Sequence, residues 1–217
     1  MRALVVGWGA GLLVLMVALG PAAAESTEWD RYGVRLAGFS KEQVAILDDT
    51  LARLRALPSS EPMIDPDTYR RLSRFESLFG VPFGGPALVE WLLQRTKKIS
   101  YGGGRLAAAH RGGKRVVLQG VFFDMPSPLE RLYLLIHEAR HSDGDGFPHV
   151  PCPSGYPFVS ASQPQIDLES AAACDDRDDG AYAFQAAFLF EVYARGLFDQ
   201  QQAGLLYNST VPRVLHR

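Results

Sequence analysis

The chain has 217 residues, 47% of them hydrophobic and 21% charged, with a formal net charge of −2. That balance supplies enough apolar surface for a buried core and excludes a disordered chain. It leaves no electrostatic footprint for nucleic acid, so no nucleic-acid partner is expected.

Met1-Arg2 is followed by an almost unbroken apolar run to Leu19, then Gly20-Pro21 and Ala22-Ala23-Ala24. This order of positive start, apolar stretch and small-residue site reads as a signal peptide over residues 1–24. An uncleaved anchor is the alternative for so long an apolar run. Cleavage leaves residues 25–217 as one expected domain, secreted or periplasmic and free of the membrane. Cys152 and Cys174 both fall in the exported part, where an even cysteine count favours a disulfide.

Ser40 with Gln43 forms a capping-box pattern ahead of Val44, Leu47, Leu51 and Leu54, so a helix is expected up to Pro58. The spacing predicts a second helix over Asp67–Phe79, with Leu72, Phe75, Leu78 and Phe79 inward and Gly80 as its stop. A third is expected from Pro86 through Trp91 and Leu92. Two glycine turns, Gly102–Gly104 and Gly112-Gly113, then frame Leu106–His110 and Val116–Phe123, which read as a hairpin. Ser127-Pro128-Leu129-Glu130 opens another helix, with Ser127 as cap. A last helix is expected over Asp179–Phe198, with Tyr193 among its core-facing residues. The fold class is α+β: a helical N-terminal part, a small sheet, a helix carrying the chemistry and a C-terminal helix.

That chemistry lies in His137-Glu138-Ala139-Arg140-His141. Residues four apart share a helix face, so His137 and His141 aim two imidazoles at one point, as tetrahedral Zn2+ requires. Glu138 lies about 100° round the helix from His137. It flanks the metal without occupying it and can act as general base on a water the metal acidifies. Solvated histidines on a surface helix are the bland reading of the same residues.

Val116–Phe123 followed by Ser127–His141 resembles the edge strand and active-site helix of the zincin metallopeptidases. The resemblance implies a zincin-like fold and a zinc peptidase whose edge strand, Val116–Phe123, binds an extended peptide or protein substrate by strand addition. In the metzincin pattern Gly144 matches the glycine, but Phe147 stands at the third histidine position and His149 follows two residues later. His149 is the favoured third ligand. Asp179, in the deuterolysin-like run Asp179-Gly180-Ala181-Tyr182, is the alternative, with Asp175, Glu169 and Glu191 behind them. Tyr182 is a candidate transition-state donor. His110 and His216 read as surface residues. The expected function is zinc-dependent peptide (amide) bond hydrolysis, and its rival is a non-catalytic exported metal-binding protein on the same scaffold.

Overall fold

In the computed structural model, residues 27–104, 106–155, 158–159 and 166–215 are described. The segment read as a signal peptide and His216 lie outside them. The elements in chain order are α1 (Glu28–Arg31), β1 (Arg35–Ala37), α2 (Lys41–Arg55), α3 (Pro66–Leu72), α4 (Phe75–Phe79), α5 (Gly85–Gln94), β2 (Lys98–Tyr101), β3 (Ala108–His110), β4 (Arg115–Leu118), α6 (Gly120–Asp124), α7 (Pro128–Arg140), β5 (Val150–Pro151), β6 (Ala172–Cys174), α8 (Ala181–Ala194) and α9 (Gln200–Thr210). The class is α+β.

The Ser40 hydroxyl accepts from the Gln43 backbone and the Gln43 side chain takes the Ser40 N–H, so α2 begins at its capping box. The expected helix over Asp67–Phe79 is instead two short ones. Ser73 is extended between α3 and α4, and its hydroxyl donates to Glu191 at 2.6 Å. A buried carboxylate needs such donors, and meeting that need breaks the helix and turns Leu72 outward, 42% exposed. Glu191 itself is fully buried against Arg195 and Tyr69, which identifies it as part of an interior network and not of a metal site.

The four-stranded sheet has the order β1-β2-β4-β3, with β1, β2 and β4 parallel and β3 antiparallel to β4. The hairpin is therefore present, but Val116–Phe123 is neither one strand nor the edge. Arg115–Leu118 lies between β2 and β3, and Gly120–Asp124 is helical. The edges are β1 and β3, and β3 is the one that packs on α7. The turn glycines let β3 fold back outside β4, which period-2 patterning alone does not reveal.

Helix α7 runs beneath the sheet edge, against α8 on its other side, and is buried from Leu129 through Ala139 except at Leu134. Pro128 occupies its first turn, but the Ser127 hydroxyl donates to Gln202 of α9 at 2.8 Å and does not cap. The expected C-terminal helix stops at Ala194, Gly196 turns the chain at φ +64°, and α9 returns along α8. Tyr193 is 38% exposed and does not face the core.

Gly85 marks the tightest packing. A Cβ there would stand 2.0 Å from the Arg55 carbonyl oxygen, a backbone atom fixed by α2. Gly85→Ala is expected to lower stability by about 1–3 kcal/mol or more, measured as a shift of the denaturant midpoint at unchanged slope.

A second, smaller cluster lies beyond α7, where Phe158 and Ala173 pack around the Cys152–Cys174 disulfide. The bridge closes a separation of 22 residues, a constraint of about 3 kcal/mol on the unfolded chain. It joins the segment after α7 to the segment before α8. Disulfides of this kind persist in oxidising compartments. Among the described residues, no helix is long and apolar enough to cross a membrane.

Candidate metal centre

Three imidazoles meet at the end of α7. His137 lies in its last turn and His141 is its C-terminal cap, one turn on, so helical geometry alone brings these two together. The third comes from the loop. Gly144 and Gly146 take positive φ, as does Phe147 at +46°, and this reversal carries His149 back over the helix end. Phe147 occupies the position of the metzincin histidine but serves another purpose. Its ring lies 3.6 Å from the Arg140 guanidinium carbon and 4.6 Å from that of Arg177, clamping the loop.

His137 Nε2 is 3.0 Å from His149 Nε2 and 3.3 Å from His141 Nε2, and one ligand nitrogen from each ring falls within 4.8 Å of the others. Nitrogens bound at zinc's usual distance in a tetrahedral shell stand about 3.3 Å apart. The donor set therefore fits a metal ion.

The far nitrogens support this. His149 Nδ1 is 2.8 Å from Asp175 Oδ1, and His141 Nδ1 is 2.7 Å from the Gly146 carbonyl. Each acceptor holds its ring in the tautomer that leaves Nε2 unprotonated. His137 Nδ1 is buried without a well-formed hydrogen bond, although the Gln185 amide beside it pulls weakly against the fall in its pKa. Burial and the neighbouring His149 hold His137 well below the ordinary histidine range, and burial also lowers His141. Neutral imidazoles are the ligating form.

Glu138 is 6% exposed and lines the same cavity as the three rings. Burial pushes its carboxyl up to about 8, against the opposing pull of the His110 backbone and the Arg111 charge. The cavity measures about 680 Å³. One wall is β3, from Ala108 to His110, and another is Ala171–Ala173, with Leu106 and Ile166 exposed at its mouth. His110 is thus half-buried in the site and not a surface residue. Its ring is 5.9 Å from that of His141, and its Nε2 is 3.3 Å from Ser142 Oγ.

Tyr182, at the start of α8, lies with its ring 4.5 Å from His137 and 4.6 Å from His149. Its hydroxyl accepts from Arg213, and its burial lifts its pKa to about 12. Asp179 is not part of the cluster. Its carboxylate pairs with Arg177 at 2.9 Å and Arg140 at 3.2 Å, fastening α8 to the end of α7. Asp143 pairs with Arg95 and Arg140, and Glu169 is exposed. Asp175, ranked behind Asp179 as a ligand, acts instead through His149, and its Oδ2 accepts the Tyr182 N–H at 2.6 Å. Its place beside Cys174 was the visible signal. Arg213 and Gln185 carried none.

Asp175→Asn keeps the shape but weakens the acceptor behind His149. Zinc affinity is expected to fall about 10–100-fold, measured by competition against a chromogenic chelator. Unchanged affinity would show that His149 is oriented by other means.

Comparison with protein-family models, with curated proteins and with solved structures finds no match to this chain.

Proposed function

We propose that this protein is an exported zinc hydrolase that cleaves peptide bonds on a zincin-like scaffold. The observation that carries the reading is the convergence of His137, His141 and His149 in one cavity with the carboxylate of Glu138. Three neutral nitrogens leave a coordination position open, which is the pattern of catalytic zinc and not of closed structural sites.

The histidines hold the ion, and when bound it supplies a Lewis acid that acidifies water and polarises a carbonyl. With the charge of a bound ion beside it Glu138 would ionise despite its burial, and its carboxylate takes the proton of the attacking water. It then returns that proton to the leaving amine, acting as base and then as acid. Tyr182 donates its hydroxyl hydrogen towards the negative oxygen that develops on the carbonyl. Asp175 fixes His149, and the apolar walls exclude bulk water. Edge strand β3 offers its backbone to an extended chain. Zinc binding alone does not need a carboxylate at position 138, and this favours the enzyme over a metal-binding protein.

The test is metal analysis beside hydrolysis. One zinc per chain is expected, with cleavage of unfolded casein that a chelator stops and added zinc restores. Failure to retain zinc at stoichiometric concentration would reject the centre. Full zinc content with no casein cleavage but with release of peptide from peptidoglycan would make it a cell-wall amidase, and full zinc content with neither activity would leave a binding protein.

A further inference from the structure

Arg213 is a buried cation without an anion. It is 7% exposed, lines the cavity of the three histidines, and forms no ion pair among the described residues. Its Nε donates to the Ala173 carbonyl at 2.7 Å and its Nη2 to the Tyr182 hydroxyl. The guanidinium carbon lies 3.6 Å from the Tyr182 ring centroid. These contacts fix the plane of the group. Its remaining hydrogens, on Nη1 and the second of Nη2, reach no acceptor among the described residues.

The carboxylate whose charge acts on it is already committed. Asp175 gives one oxygen to His149 and the other to the Tyr182 backbone. Burial lowers the Arg213 pKa, with Tyr182, Tyr133 and Asp175 opposing, yet an arginine stays charged inside a protein. Leaving such a charge unpaired in a low-dielectric wall is costly, unless the partner arrives with a ligand. A divalent ion on the histidines adds positive charge to the same cavity, and Asp175 and Glu138 do not cancel both. The Nη1–Nη2 edge of a guanidinium is the fork that matches a carboxylate.

We propose that the free Nη1–Nη2 edge of Arg213 is a carboxylate-binding subsite, and that the cavity takes peptides carrying a carboxylate close to the bond that is cut. The assignment of substrate class rests on the hydrolase reading above; the carboxylate site itself does not. The carboxylate is either a free C-terminus or an acidic side chain, and both offer Arg213 the same two oxygens. Ala171–Ala173 beside it are small enough to admit such a group.

The experiment titrates the full chain, zinc-loaded and again stripped of metal, with three probes by calorimetry. The probes are acetyl-dialanine with a free carboxylate, its C-terminal amide, and acetyl-alanyl-aspartyl amide. The free acid is expected to bind about tenfold or more tightly than the amide, the range for hydrogen bonds to a charged group. That preference should survive removal of the metal, drop to none in Arg213→Met and persist in part in Arg213→Lys. An aspartyl amide tighter than the acid assigns the site to acidic side chains, one as weak as the plain amide assigns it to C-termini, and equal binding of aspartyl amide and acid shows that it takes both. Should Arg213→Met not fold, the wild-type ratio and Arg213→Lys decide alone. Equal affinities, no binding of the acid at millimolar concentration, a preference lost on stripping, or one retained in Arg213→Met would overturn the proposal. Failure of the zinc reading would show separately, as no zinc taken up in the loaded arm.

Discussion

Glu138→Gln is expected to retain near-normal zinc while losing turnover by about a hundredfold or more, the scale for removal of a general base. The carboxylate lies in the cavity wall beside the ligands but contributes no atom to the three-nitrogen cluster. The amide keeps the volume and a hydrogen-bonding oxygen, so α7 has no reason to shift, and only the proton acceptor is gone. Metal analysis and the chelator-controlled casein assay on the same preparation separate the two effects. Cleavage at the wild-type rate would remove Glu138 from the mechanism.

His149→Ala is expected to abolish zinc retention at stoichiometric concentration, because two nitrogens from a single helix turn do not fill a zinc shell. Asp179→Ala is the matched control. It should keep the metal and lose only a modest amount of stability, since its carboxylate joins Arg140 to Arg177 at a half-exposed position. The comparison is read by metal analysis after dialysis, with thermal melting to confirm that each variant is folded. The reverse pattern would transfer the third ligand to Asp179.

The contrast between these two residues shows what was legible in the sequence. His137, Glu138 and His141 are coupled by the 3.6-residue period of one helix, so spacing alone fixes their mutual placement. His149 and Asp179 are not distinguished by spacing, because a loop has no period. Its path depends on Gly146 and Phe147 at positive φ and on the Phe147 ring between two arginines. The capping box at Ser40 named the start of α2 correctly, whereas the same pattern at Ser127 placed the start of α7 but missed the pull of Gln202 on its hydroxyl. Pairing order was also hidden. Val116 and Val117 are apolar because they lie inside the sheet between β2 and β3, a burial that mimics the apolar strand expected at an edge. The break between α3 and α4 is not visible in the sequence, because Ser73 is a weak helix breaker by itself. Only its partner Glu191, far along the chain, makes it one. Arg213 gave no warning at all, being a single arginine whose meaning comes from the cavity around it.

The order of these parts along the chain has a consequence during synthesis. A ribosome delivers the N-terminus first, so all three imidazoles exist by residue 149, ahead of Asp175, Tyr182 and Arg213. A nascent chain at that stage owns every nitrogen of the centre but not the carboxylate that aims His149, nor either cysteine of the bridge. A chain terminated prematurely before Ala171 would carry the three ligand histidines with one wall of the cavity missing.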